Sequence, residues 1–404
     1  WGDLVIMLTS LALIFLVGLF AAAICGGLRL PRIIGMLFTG IILGPHVLGL
    51  LDDKILSISS ELRQMALIII LLKAGLSLNL ADLKKIGRPA VMMSFVPASF
   101  EICGYLLCAP MILGITRIEA AVMGAVLAAV SPAVVVPRMV QLMESGYGTE
   151  KSIPQMILAG ASCDDIFVIV LFSTFSGMAQ GGSARVMDFV NIPISIVSGI
   201  LLGAVAGWLL SLFFETAYAK EHYVRNSMKV IIVLGVSFLL MSVENWVKPY
   251  ISVSGLLAVV SMACVLKLRS IKAVSARLSE KFGKLWLAAE VLLFVLVGAA
   301  VDIRYTMGAG LAAVLMIFTA LIFRTIGVLI CLAGTALNWK ERLFCVIAYL
   351  PKATVQAAIG SVPMAMGLPC GQIVLSVAVM AILITATLGA LGMDSTFEKL
   401  LEKE

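Results

Sequence analysis

Two adjacent aspartates interrupt an apolar run that reads Ile157-Leu-Ala-Gly-Ala-Ser-Cys-Asp-Asp-Ile-Phe-Val-Ile-Val-Leu-Phe172. The run has the composition of a membrane-spanning helix. A charge at the bilayer centre costs roughly 2.5–3.5 kcal/mol, and two adjacent carboxylates also repel each other. Such residues are kept where they pair, face a water-filled cavity or bind something that crosses the membrane. We therefore expect Asp164 and Asp165 to belong to an ion-transport site.

The rest of the chain is equally apolar. Hydrophobic residues make up 61% of the 404 residues and charged residues only 13%. Apolar runs long enough to cross the hydrocarbon core as helices recur along the whole length, and they lack the period-two alternation of a membrane barrel. The sequence predicts an all-α polytopic membrane protein with about 13 transmembrane helices.

The formal net charge of +6 is explained by topology. Lysine and arginine are concentrated in alternate predicted loops, which predicts an N-terminus outside and a C-terminus in the cytoplasm by the positive-inside rule. We therefore expect contact with membrane lipid and no nucleic-acid partner. Two histidines and eight cysteines without metal-like spacing argue against a histidine-ligated metal, so we expect no cofactor.

Prolines interrupt two of the predicted spans. Pro132 and Pro137 lie in span 5, and Pro351 lies in span 12. Proline removes a backbone donor, so we expect both helices to break, with Ser131 and Thr354 at the crossover. The breaks are an odd number of spans apart, which predicts two inverted repeats with a transport site between the interrupted helices.

The residues around the breaks suit a small cation. Ser162 lies on the same helical face as Asp165, and a carboxylate beside a hydroxyl and unwound carbonyls offers hard oxygen ligands. A proton and a metal ion could then compete for Asp165, with Asp164 beside it. The alternative is that both aspartates only cap the ends of the broken helices or pair permanently with basic residues. Lys352 could neutralise Asp164 as a static partner or release a proton itself, and the sequence leaves both roles open.

Three further charges lie inside predicted spans. Glu101 and Arg324 occupy corresponding spans of the two repeats, and we interpret them as a structural ion pair. Glu290 could line the ion path or be a protonated core residue.

Several motifs carry a resemblance to a known family. Leu30-Pro-Arg-Ile-Ile-Gly-Met-Leu-Phe-Thr-Gly-Ile-Ile-Leu-Gly-Pro45 resembles the opening signature of the monovalent cation:proton antiporter superfamily. The segments Ser131–Pro137, Tyr147–Lys151 and Leu350–Ser361 resemble the sodium/hydrogen exchangers of solute carrier family 9, subfamily B. The resemblance covers essentially the whole chain and suggests a bacterial relative in the inner (plasma) membrane.

The resemblance implies a homodimer in which a mobile core moves like an elevator against a dimer domain, exchanging Na⁺ or Li⁺ for H⁺. It gives Asp165 the role of main cation ligand, with Asp164 beside it and Lys352 as partner. Glu101–Arg324 would be the ion pair typical of subfamily B. The implied segments are 1–88 and 226–305 (dimer domain), 89–182 and 306–396 (core), 183–225 (linker helix) and 397–404 (cytoplasmic tail).

Other functions remain possible from the residues alone. A sodium-coupled symporter of an organic anion would also use broken helices, but the excess of buried acid disfavours an anionic substrate. An intramembrane aspartyl protease needs aspartates on two helices, whereas these are neighbours on one. A channel is disfavoured because nothing indicates a continuous filter. We therefore expect an antiporter and not an enzyme.

Overall fold

The computed structural model of the protein describes residues 2–28, 30–77, 87–181, 186–219, 225–247, 250–251 and 253–403. In these ranges the regular secondary structure is helical, with one isolated β-bridge between Tyr147 and Lys403. The predicted all-α class is therefore confirmed.

The helices follow one another in chain order with short connections. They are α1 (Gly2–Gly27), α2 (Arg32–Leu43), α3 (Asp53–Ser57), α4 (Ser59–Ser77), α5 (Arg88–Met93), α6 (Val96–Leu113), α7 (Arg117–Leu127), α8 (Pro132–Ser145), α9 (Ile153–Gln180), α10 (Val186–Ala219), α11 (Asn226–Val247), α12 (Gly255–Arg269), α13 (Lys272–Ala299), α14 (Ile303–Cys331), α15 (Trp339–Ala348), α16 (Thr354–Ile359), α17 (Val362–Ala365), α18 (Gly371–Ala381) and α19 (Thr387–Leu400). A π-helical turn, Ile382–Ala386, joins α18 to α19.

Nine helical stretches in the described ranges are long and apolar enough to cross a bilayer. Some of the remaining predicted spans are short or interrupted: α2 has 12 residues, and predicted span 12 is divided between α15 and α16. The predicted number of spans therefore stays a prediction.

The chain divides into two compact units. The first consists of Trp1–Arg63, Asn79–Val168 and Val291–Glu404. Within it, α6 packs along α14 and against α7, α1 packs against α2, and α15 packs against α19. This unit contains both helix breaks and the paired aspartates.

The second unit consists of Gln64–Leu78 and Ile169–Glu290, and its main contact is between α10 and α12. Glycines repeat every four residues along α10 and face the backbone of α12. A Cβ on Gly199 would lie 2.7 Å from the carbonyl oxygen of Ser254, and one on Gly207 would lie 2.6 Å from that of Met262. Glycine at these positions lets the two helices approach closely.

Both predicted helix breaks are present. The chain is non-helical from Ala128 to Ser131, between α7 and α8, and from Leu350 to Ala353, between α15 and α16. Pro132 is the first residue of α8, where a missing N–H costs nothing because that donor has no helical partner.

The prediction that Pro137 also breaks its helix is wrong, because α8 continues through it to Ser145. The chain has already changed direction before Pro132. Pro137 therefore removes only one hydrogen bond from an established helix, and Arg138 Nη1 donates to the carbonyl oxygen of Val134 in the same turn, at 3.0 Å.

A charged cluster ties the C-terminal end of α19 to the loop before α9. Lys151 Nζ lies 2.8 Å from Glu341 Oε1 and 3.4 Å from Glu402 Oε2. The backbone N–H of Gly148 donates to the carbonyl oxygen of Glu402 at 2.8 Å. The hydrogen bond to Glu341 raises the pKa of Lys151 above its ordinary value. The cluster therefore joins Lys151 of the first repeat to Glu341 and Glu402 of the second.

Candidate ion-binding site

The two broken helices meet at their non-helical segments. The N–H of Ser131 donates to the carbonyl oxygen of Pro351 at 2.8 Å. Gln356 Nε2 donates to the carbonyl oxygen of Ala129, also at 2.8 Å. Each break thus satisfies backbone groups that the other leaves without a helical partner, as burial in an apolar environment requires.

Asp164 is fully buried against the first break. Its Oδ2 accepts a hydrogen bond from the backbone N–H of Val130 at 2.7 Å and lies 3.4 Å from Arg324 Nη2. The predicted aspartate therefore lies at the helix crossing. Its Oδ2 is held by Val130 and Arg324.

Arg324 connects four other elements through one guanidinium group, one of which is α9 through Asp164. Nη1 lies 2.8 Å from Glu101 Oε2 and also donates to the carbonyl oxygen of Ala128, while Nε donates to that of Tyr349. Ala128 and Tyr349 are the C-cap residues directly after the last residues of α7 and α15. A cation is favourable there because the C-terminal end of a helix carries partial negative charge.

Lys352 contacts Glu101 in the structure. Its Nζ lies 2.7 Å from Oε1 and 2.8 Å from Oε2 of Glu101, and it also donates to the carbonyl oxygen of Leu127. The expected direct partner, Asp164, is instead contacted by Arg324. The physical reason is that Glu101 and the C-terminal carbonyls of α7 form the more negative surroundings for the ammonium group. Glu101 is therefore shared by Arg324 and Lys352.

Asp165 differs from the other buried acids. It is 6% exposed, and none of the described residues forms an ion pair with it. Glu101 and Asp164 together balance Arg324 and Lys352, so the carboxylate of Asp165 is the charge in excess. This is the position at which a bound cation or proton would complete the balance.

Several buried oxygens at the crossing lack a hydrogen-bond partner among the described residues. They are Oδ1 of Asp164, Oδ1 of Asp165, Oγ of Ser131, Oγ1 of Thr354 and Oε1 of Gln356. Carboxylate, hydroxyl and amide oxygens are ligands that a small hard cation prefers. The side chain of Ser162, the other predicted ligand, lies outside the described residues. Glu290 is half-buried in the second unit, and its role stays open.

From the sequence, Gln356 could either supply a side-chain oxygen or satisfy backbone groups freed by the breaks, the second being the commoner role. Its amide nitrogen does the second, by donating to the carbonyl oxygen of Ala129. Sequence reasoning missed another contact of this site. The hydroxyl of Thr385 accepts a hydrogen bond from the backbone N–H of Lys352 at 3.0 Å. Nothing in the local sequence marks Thr385, because its partner is 33 residues away in the chain.

The sequence profile of the transmembrane sodium/hydrogen exchangers matches residues 11–399. The chain belongs to the sodium/hydrogen exchanger family. It is 34% identical over 394 residues to sodium/hydrogen exchanger 9B2 of Homo sapiens. That alignment covers 93% of this chain and 70% of the relative. It is 30% identical over 399 residues to sodium/hydrogen exchanger 9B1 of Mus musculus, which covers 93% of this chain and 66% of that relative.

The fold of this exchanger resembles that of the sodium proton antiporter MjNhaP1 from Methanocaldococcus jannaschii. The superposition has a TM-score of 0.84 and covers 98% of this chain and 99% of that one, at 22% sequence identity. The predicted superfamily and antiporter fold are therefore confirmed. The exchanger is an integral membrane protein, and its family consists of transporters and not enzymes. The sodium/hydrogen exchangers 9B2 and 9B1 named above are vertebrate proteins, so the expected bacterial origin stays a prediction.

Proposed function

We propose that this exchanger carries Na⁺ or Li⁺ in one direction and H⁺ in the other, using Asp165 as the group that binds each in turn. Membership of the sodium/hydrogen exchanger family supports the reaction class. The observation that carries the site assignment is that Asp165 is buried and lacks a cationic partner among the described residues.

A buried carboxylate without a counter-ion must bind something positive. An isolated charge in low dielectric is costly, so the carboxylate either takes up a proton or coordinates a cation. A proton and a sodium ion cannot occupy the same oxygens together, so each displaces the other. Competition of this kind couples the two gradients without a second binding site.

Asp164 and Lys352 assist in different ways. Asp164 adds negative charge next to Asp165, and its Oδ1 has no hydrogen-bond partner among the described residues. Lys352 and Arg324 together neutralise Glu101 and Asp164, which leaves the charge of Asp165 to be balanced by the transported ion. In this role Lys352 is a static partner of Glu101 and keeps its proton through the cycle.

We further propose the arrangement that the family resemblance implies. Residues 89–182 and 306–396 form the mobile core, and residues 1–88 and 226–305 form the dimer domain of a homodimer in the lipid bilayer. Elevator movement of the core exposes Asp165 to each side alternately. The distribution of lysine and arginine supports an external N-terminus and a cytoplasmic C-terminus.

Transport in proteoliposomes tests the proposal. An imposed pH gradient should drive uptake of Na⁺ or Li⁺ by the unmodified protein and by Asp394→Asn, a matched control at an acid that is 44% exposed. Asp165→Asn should abolish exchange, because the amide keeps the shape but binds neither ion as a carboxylate does. Full sodium exchange by Asp165→Asn would refute the site. Uptake of an organic anion together with sodium, without proton exchange, would support the symporter instead.

A further inference from the structure

The π-helical turn Ile382–Ala386 lies beside the second helix break. An α-helix with one wider turn shifts the side chains that follow it, and such turns are frequent at functional sites. Thr385, within the turn, is completely buried. Its hydroxyl donates to the carbonyl oxygen of Ala381 at 2.7 Å and accepts from the backbone N–H of Lys352 at 3.0 Å.

The N–H of Lys352 needs a partner from outside its own helix. Lys352 lies between Ala348, the last residue of α15, and Thr354, the first residue of α16, so helical bonding cannot satisfy it. A buried N–H without an acceptor costs the full desolvation of that group. The hydroxyl of Thr385 supplies the acceptor.

The same helix face contacts the residue before Lys352. A Cβ on Gly389, four residues after Thr385, would lie 2.7 Å from Cδ and 3.2 Å from the backbone nitrogen of Pro351. Gly389 therefore allows the helix to lie directly against the break while Thr385 holds the next residue. The two contacts fix the backbone of Pro351–Lys352 from one side.

We propose that Thr385 is a positioning residue for Lys352, acting through the backbone N–H of the lysine. A fixed backbone at Lys352 fixes the position from which its side chain reaches Glu101. Nζ of Lys352 lies 2.7 Å from Oε1 of Glu101. The π turn orients the hydroxyl toward the break. The effect on ion exchange rests on the proposed function, in which Lys352 assists cation binding at Asp165.

Three substitutions separate the hydrogen bond from general packing. Thr385→Val keeps the shape and removes the acceptor, and Thr385→Ser keeps the acceptor. Thr387→Val is the matched control, because the hydroxyl of Thr387 donates within its own helix, to the carbonyl oxygen of Leu383 at 2.7 Å.

The first measurement is hydrogen–deuterium exchange at the Lys352 amide in the purified full chain. Leaving the buried N–H of Lys352 without an acceptor should speed local exchange roughly five- to 160-fold in Thr385→Val. Thr385→Ser and Thr387→Val should resemble the unmodified protein. This measurement does not depend on transport, so it tests the contact even if the protein carries no sodium.

The second measurement is the sodium dependence of exchange in proteoliposomes. The apparent KM for sodium should rise in Thr385→Val, by at most the same factor of roughly five- to 160-fold, and should return to the unmodified value in Thr385→Ser. Equal behaviour of Thr385→Val and Thr387→Val, or failure of serine to restore both readouts, would overturn the inference.

A folding defect is also decisive. If Thr385→Val and Thr385→Ala both fail to assemble while Thr387→Val folds, Thr385 is structural and the positioning role is wrong. Absence of sodium exchange in the unmodified protein would refute the proposed function alone, because the amide measurement would still report on Thr385.

Discussion

Replacing Glu101 by glutamine tests the buried charge network directly. Glu101 lies 2.8 Å from Arg324 Nη1 and 2.7 Å from Lys352 Nζ. Glu101→Gln leaves two buried cations opposite Asp164, whose nearer oxygen is 3.4 Å from Arg324. Removing one partner of a buried ion pair costs about 3–5 kcal/mol, because the remaining charge is uncompensated. We expect Glu101→Gln to lower the free energy of unfolding by about this amount.

A second substitution shows whether the charges act together. Lys352→Met alone should cost a similar amount, because Arg324 is then the only cation in contact with Glu101 among the described residues. The double variant removes one charge of each sign and restores the balance. Its cost should therefore fall below the sum of the single costs by roughly 2–3 kcal/mol.

The assay is reversible unfolding of the purified protein in mixed detergent micelles. The control is the pair Arg138–Asp394, whose bidentate contacts of 2.8 and 2.9 Å are partly exposed. Breaking an exposed pair by Asp394→Asn should cost about 0–1 kcal/mol. Strictly additive single costs, or a cost for Glu101→Gln no larger than that of Asp394→Asn, would refute the shared network.

Two further predictions concern other parts of the molecule. Gly203→Ala should destabilise the contact of α10 with α12 by about 1–3 kcal/mol in thermal unfolding, because its Cβ would overlap the carbonyl oxygen of Ala258. Gly235→Ala should not destabilise, because the added Cβ would have no neighbour within 4 Å beyond the adjacent backbone of its own helix. Equal effects of these two substitutions would contradict the packing described here. Lys151→Met should destabilise the protein near neutral pH. Since its pKa is raised from 10.5 in the folded protein, the stabilisation is complete below that value and is lost as the pH rises through the folded pKa. A difference between Lys151→Met and the unmodified protein that persists unchanged in strong alkali would disprove this.

Much of this fold could be predicted from the sequence, because membrane helices are recognisable by their length and apolar composition. Apolar runs predicted the helices, and Pro132 and Pro351 predicted where two of them break. The prediction for Pro137 was wrong because a proline inside a helix removes one backbone hydrogen bond, and α8 tolerates that loss and continues to Ser145. Local sequence does not distinguish these two situations.

The partners inside the site could not be predicted in the same way. Composition identifies Glu101, Asp164, Arg324 and Lys352 as buried charges that need partners. Their pairing depends on distances between elements far apart in the chain. The contact of Lys352 with Glu101, and the use of Thr385 as an acceptor, follow from helix packing and from a π turn that no sequence motif marks.

The crossed arrangement also dictates an order of events during synthesis. Glu101 is made 223 residues before Arg324 and 251 residues before Lys352. At ordinary elongation rates the carboxylate waits roughly 10–50 s for its first cation. Until then Glu101 lacks both of the cations that it contacts in the finished structure. The charge network around Glu101 can therefore form only after Arg324 and Lys352 have been synthesised.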